Sequence, residues 1–307
     1  MTLIKIIILT LTISIFLAAC SESEPSTGSD SQAAVSEAFT PAVETIVPDP
    51  TATDIPAATP TAEPEPEAQE VAAAPTGEKQ MPSEPKPTEL LIQPGVENIA
   101  ITGAEDLPLQ TTLYTPGTSG PLPGVILLHM LGSDRQIWDE NGFANTLVDK
   151  GYAVLAVDLR GHGQTGGSIN WMLAPEDLRR VWEYFTALDA VDPQRTAVIG
   201  ASIGANLALL TAAEQPAIRT AVLLSPGLDY RGVTTEDPLH EYGSRPILIV
   251  ASEEDTYAAD SSRTLADLAQ GKSQLEMYNG AGHGTRMFDA QPDLSGLIIT
   301  WLAQNIN

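Results

Sequence analysis

The stretch Arg195–Leu210, RTAVIGASIGANLALL, constrains the fold of this chain more than any other. A short apolar run, Thr196–Ile199, reads as a buried strand. It passes through Gly200-Ala201-Ser202-Ile203-Gly204 into a segment of Ala and Leu with helical character. The G-x-S-x-G spacing has a steric reason: a serine held on a sharp strand-to-helix turn needs neighbours two residues away that carry no side chain. Gly200 and Gly204 meet that need, and Ala201 and Ala205 keep the crossing narrow. Ser202 is thereby expected at the carboxyl edge of a sheet, with the first N–H groups of a helix beside it.

The segments flanking this corner alternate in type. Val96–Thr102 and Leu107–Tyr114 read as two early strands joined by the turn Gly103–Asp106. Gly124–His129 and Tyr152–Val157 are continuous apolar runs, the pattern of strands covered on both faces. Arg135–Lys150 has helical period. Pro175–Leu188 opens with Pro, Glu and Asp, which suits a helix N-terminus. After the corner come strands at Ile218–Ser225, Pro246–Ala251 and Gln274–Tyr278, with helices around Ser261–Ala269 and Leu294–Gln304. This order predicts an α/β domain over 96–307: a doubly wound, mostly parallel sheet with helices on both faces. No internal repeat is present.

The first 95 residues have a different composition. Met1–Cys20 carries one charge, Lys5, and an apolar run, Ile6–Ala19, too short to span a bilayer comfortably. It reads as a signal peptide. Its end, Leu17-Ala18-Ala19-Cys20, resembles the bacterial lipobox, and Cys20 is the single cysteine of the chain. That resemblance implies acylation at Cys20 and an extracytoplasmic protein anchored by lipid in the bacterial cell envelope, at the outer membrane or cell surface. One cysteine excludes an intrachain disulfide. Residues 21–95 hold 13 of the 24 prolines, 14 acidic residues against two lysines, and one aromatic residue, Phe39. Such a segment is expected to be a disordered acidic Pro/Thr/Ala/Glu-rich linker between anchor and domain. The formal net charge of −25 leaves no basic patch for nucleic acid.

Two further motifs carry a resemblance. Val191-Asp192-Pro193-Gln194-Arg195 before the corner is similar to a run in dienelactone-hydrolase-like and peptidase-like proteins. Asp158-Leu159-Arg160-Gly161-His162-Gly163 resembles a loop of many esterases and lipases. With the G-x-S-x-G corner, residues 96–307 resemble the α/β-hydrolase superfamily of serine hydrolases. That family orders its catalytic residues Ser, acid, His, with the acid after a later strand and the histidine after the last one. The resemblance implies Ser202 as nucleophile, Asp255 in PILIVASEEDTYA as orienting acid, and His283 in QLEMYNGAGHGT as general base. Glu253 and Glu254 are rival carboxylates. His129 ends a strand, His162 lies in a loop where it is commonly structural, and His240 lies in a charged connection. For the oxyanion the expected donors are the N–H of Ile203 and one from the loop after Gly124–His129, Leu131 first and Met130 second.

The connection from Ser225 to Arg245 is too short for a sizeable cap domain, so an open site is expected. Trp138, Trp171, Met172, Tyr230 and Tyr257 fall on expected loops at the active edge, but none is assigned a role. No metal or cofactor is implied. The reading is a carboxylesterase-like serine hydrolase acting on small esters. A peptidase, a lyase or perhydrolase on the same fold, and a catalytically silent binding lipoprotein are the alternatives. The oligomeric state is not legible.

Overall fold

A computed structural model describes residues 91–307. The signal peptide, Cys20 and nearly all of the linker lie outside the described residues. Eight strands form the central sheet: β1 (Gly95–Thr102), β2 (Pro108–Thr115), β3 (Leu122–Leu128), β4 (Ala153–Val157), β5 (Val191–Ala201), β6 (Ile218–Leu224), β7 (Ile247–Ser252) and β8 (Ser273–Tyr278). Their order across the sheet is β8-β7-β6-β5-β3-β4-β2-β1. β1 pairs antiparallel with β2, and β2 antiparallel with β4. Every other pairing is parallel. The expected doubly wound, mostly parallel sheet is therefore present, with the corner strand β5 at its centre.

Alternation along the strands divides the core in two. Ile126, Leu155, Val198, Leu223 and Ile249 face one layer; Leu127, Ala156, Ile199, Val222 and Val250 face the other. The first layer is covered by α3 (Ala174–Thr186), α4 (Ile203–Glu214), α5 (Glu236–Tyr242) and α6 (Thr256–Leu268). The second is covered by α1 (Ile137–Glu140), α2 (Phe143–Asp149), α7 (Met287–Ala290) and α8 (Leu294–Asn305). Because both faces are covered, β3, β4 and β7 are buried along their whole length. α4 has no polar stripe: Ile203–Leu209 are all buried, and α4 packs on β5, β6, α3 and α5. Small residues permit this. Alanine and glycine at 204, 205, 208, 212 and 213 let the helix lie close on the sheet.

Two segments differ from expectation. The helical period of Arg135–Lys150 is broken into α1 and α2 at Asn141-Gly142, where Gly142 has φ +71°. Asn141 Oδ1 accepts the N–H of Phe143 at 3.0 Å, so a side chain replaces the helical acceptor. This break turns Trp138, expected on a loop, into the second layer, where it is fully buried against Phe143 and Phe288. The helix expected from Ser261 starts five residues earlier, at Thr256. The connection 225–245 forms a two-residue hairpin, Asp229–Tyr230 with Val233–Thr234, followed by α5. It is no cap domain, but it does not leave the edge bare.

Candidate active site

The corner is as strained as its sequence demands. Ser202 has φ 56° and ψ −122°, a region β-carbon sterics disfavour, and its N–H is held by the carbonyl of Leu224 at 2.8 Å. A Cβ at Gly200 would fall onto the carbonyl of Gly204. One at Gly204 would lie 2.5 Å from the carbonyl oxygen of His129. Both glycines are thus required by backbone, which no rotamer change can move. The result is a serine at the carboxyl end of β5, 7% exposed, at the start of α4.

Asp255 stands one residue before α6, the N-cap position. An aspartate there ordinarily accepts an N–H of the first helical turn. Here no such bond forms; the carboxylate turns instead to His283, with Oδ2 2.5 Å from Nδ1. The two rival carboxylates are engaged elsewhere. Glu253 pairs with Arg263 at the surface. Glu254 accepts the N–H of Gly280 at 2.6 Å and the hydroxyl of Ser252 at 2.8 Å, which hold its carboxyl below the usual range. Glu254 therefore shapes the turn that leads to His283.

His283 follows β8 between Gly282 (φ +78°) and Gly284 (φ +59°). Three contacts fix that loop. Gly284 N–H donates to Ser225 Oγ at 2.9 Å, Ala281 N–H to Ser252 Oγ at 2.9 Å, and Met130 packs where a Cβ at Gly284 would be. Ser225 and Ser252, at the ends of β6 and β7, are buried braces that no motif announces. Ser202, Asp255 and His283 thus stand at one sheet edge, and Asp255 and His283 touch. Among the described residues no hydrogen bond joins the Ser202 hydroxyl to His283.

The loop after β3 is ordered by His129. Leu159 N–H donates to His129 Nε2 at 3.0 Å, so the proton must sit on Nδ1, which donates to the carbonyl of Met130 at 2.8 Å. Burial pushes the His129 pKa down to about 4, in keeping with this neutral form. Ser133 N–H donates to the same carbonyl at 3.2 Å. The trans peptide then directs the N–H of Leu131 the opposite way. Among the described residues neither that N–H nor that of Ile203 has an acceptor. The side chain of Met130 is used as packing beneath Gly284 and Thr285.

The D-x-R-G-H-G loop is a scaffold. Buried Asp158 takes the N–H groups of Arg135 and Gln164, each at 2.7 Å, and pairs with the Arg135 guanidinium. Arg160 grips Asp177 with two donors, at 2.8 and 2.7 Å, and also donates to the carbonyl of Ala104. His162 lies between His129, to which it stands edge-on, and Trp171, against which it is tilted. Of the other edge residues, Tyr257 is half-exposed and Met172 is 85% exposed, whereas Tyr230 is half-buried with its ring edge-on to His283. A cleft of about 250 Å³ opens beside Met130, between Ile137, Glu140, Thr285 and Arg286. Among the described residues no group of three or more His, Cys, Asp or Glu is arranged to hold a metal ion.

An eight-stranded sheet with a β5–α4 serine corner gives the chain the α/β-hydrolase fold. Residues 123–239 match the family described as alpha/beta hydrolase fold. Among relatives, the chain is 30% identical over 130 residues to the quorum-quenching protein AidA of Acinetobacter baumannii, a match covering 41% of this chain and 42% of AidA. The chain thus matches less than half of that relative's length. Among solved structures it is similar to the dienelactone hydrolase of Anabaena variabilis (TM-score 0.58, 20% identity, 70% of this chain and 100% of that one). It is also similar to Est1E of Butyrivibrio proteoclasticus, solved with ferulic acid bound (TM-score 0.59, 20% identity, 67% and 98%). These two likenesses speak to the fold.

Proposed function

We propose that the chain is a carboxylesterase-like serine hydrolase with Ser202 as nucleophile, His283 as base and acid, and Asp255 as the group that orients His283. The observation that carries this reading is the Asp255–His283 pair at 2.5 Å, standing at the same sheet edge as a serine on a strained corner. A serine hydroxyl attacks slowly until a neutral imidazole takes its proton, and the imidazole needs a carboxylate to fix its tautomer. Asp255 accepts from Nδ1, which leaves Nε2 free to act as base.

The reaction follows from these roles. Ser202 Oγ adds to the ester carbonyl carbon as His283 takes its proton. The oxyanion is received by the N–H of Ile203 and that of Leu131, whose direction His129 sets; this favours Leu131 over Met130. Collapse breaks the carbonyl-carbon bond to the alkoxy oxygen, which leaves with the proton from His283. Water then adds to the acyl-enzyme by the same route and restores Ser202. The short connection 225–245, a hairpin and one short helix, favours small esters.

The setting is part of the proposal: a lipid anchor at Cys20, in the cell envelope, with the acidic segment 21–95 as tether. A quorum-quenching role is a second reading, supported by the partial identity to AidA. The test is turnover of short-chain p-nitrophenyl esters by the full chain in detergent. Ser202→Ala and His283→Ala are expected to lose at least three orders of magnitude in kcat. Turnover that survives Ser202→Ala contradicts the assignment.

A further inference from the structure

Tyr230 is the aromatic of the hairpin after β6, and its surroundings single it out. Its ring stands edge-on to His283, at 6.3 Å and 87°, and edge-on to Tyr257, at 5.5 Å and 67°. Tyr257 is itself locked, for its hydroxyl donates to the carbonyl of Asp229 and accepts the N–H of the same residue, both at 2.9 Å. Gly227 completes the seat: a Cβ there would lie 2.7 Å from the Tyr230 ring. The phenol is therefore placed by three neighbours, and its Oη reaches the Ser225 carbonyl only at 3.4 Å, a long bond that leaves the donor available.

The sheet order decides what such a donor can do. At the carboxyl edge, the loop after β3 lies on one side of Ser202, and the loops after β6, β7 and β8 lie on the other. The oxyanion belongs to the first side, with Leu131 and Ile203. The leaving oxygen belongs to the second, since it must face His283 to receive a proton. Tyr230 shares that second side.

Resting on the serine-hydrolase reading, we propose that Tyr230 is a further catalytic residue. With an ester bound, its phenol, on the His283 side of the site, donates a hydrogen bond to the alkoxy oxygen as the carbon–oxygen bond breaks. His283 remains the group that transfers the proton. Burial, and then the charge of Asp255, push the phenol's pKa above its ordinary value, which favours the protonated form that donates. The contribution is selective. A p-nitrophenolate departs without help, whereas an alkoxide depends on every donor that neutralises it.

Tyr230→Phe keeps the ring and its edge-on contacts and removes the donor. The test compares ethyl and p-nitrophenyl esters of one acyl group with the wild-type chain, Tyr230→Phe and Ser202→Ala, with melting temperature as control of folding. The expected result is a fall of about tenfold or more in kcat for the ethyl ester, less than about threefold for the p-nitrophenyl ester, and similar KM for both. An equal loss on both esters, or no loss on either, overturns the role of Tyr230 and leaves the serine assignment standing. Failure of the wild-type chain on both esters overturns the serine assignment and this inference with it.

Discussion

His129 and Leu159 are joined by a hydrogen bond in which the Leu159 N–H donates to Nε2 at 3.0 Å, and this one contact fixes the tautomer of a buried histidine. The fixed tautomer leaves Nδ1 to donate to Met130, and so the end of β4 orders the loop after β3. A neutral His129 must give up its proton preference to be buried, which links the site to pH. Its folded pKa of about 4 lies below the ordinary 6.5, so the unfolded chain binds the proton first as pH falls. Its contribution is whole above about pH 6.5 and is lost as pH drops toward 4, by up to about 3 kcal/mol. Urea unfolding of the wild-type chain and His129→Asn between pH 7 and 4.5 should show a steeper decline for the wild type. Parallel declines would contradict the account.

The same residue should matter to rate. His129→Ala leaves the Met130 carbonyl held by the Ser133 N–H alone and so loosens the direction of the Leu131 N–H. The expected loss is about 10- to 100-fold in kcat with little change in KM, since a transition-state donor is misplaced rather than a binding contact removed. A variant that binds weakly but turns over normally would refute this.

Three successive carboxylates allow a sharp comparison. Asp255→Asn should lower kcat by about 10³- to 10⁴-fold, by leaving His283 in the wrong tautomer. Glu254→Gln should lower stability modestly, through the Gly280 and Ser252 contacts, with a smaller effect on rate than Asp255→Asn. Glu253→Gln removes one exposed surface pair and should leave stability nearly unchanged. Esterase kinetics and chemical denaturation of the three variants side by side check the ranking.

Much of this was legible because the family pattern is local. A carboxylate just past β7 and a glycine-flanked histidine just past β8 are each defined by a strand end a few residues away. The helix break at Asn141-Gly142 was also written in the residues, yet the apolar period around it masked a single turn-forming pair. Tyr230, Ser225 and Ser252 were not legible as parts of the site. Tyr230 comes beside His283 only because the connection after β6 forms a two-residue hairpin, and the serines act as braces to loops 29 and 59 residues away in sequence. Side-chain partners at such separations leave no periodic signal.

The scaffold can be tested apart from the chemistry. Removing one partner of a buried ion pair leaves the other charge uncompensated, a cost of about 3 to 5 kcal/mol. Asp177→Ala strips Arg160 of its partner and Ala104 of the acceptor of its N–H at 2.7 Å. It should lower the melting temperature by many degrees. Arg179→Ala, whose partner Glu183 is half-exposed on the same helix, should move it by little.

The central claim is that Ser202 is the activated nucleophile, and the most direct measurement is to treat the folded full chain with a fluorophosphonate and locate the adduct by peptide mass spectrometry. The account predicts one phosphonylated residue, Ser202, with labelling abolished in Ser202→Ala and slowed by at least about a hundredfold in His283→Ala. A folded chain that takes up no label, or takes it up at another residue, would contradict it.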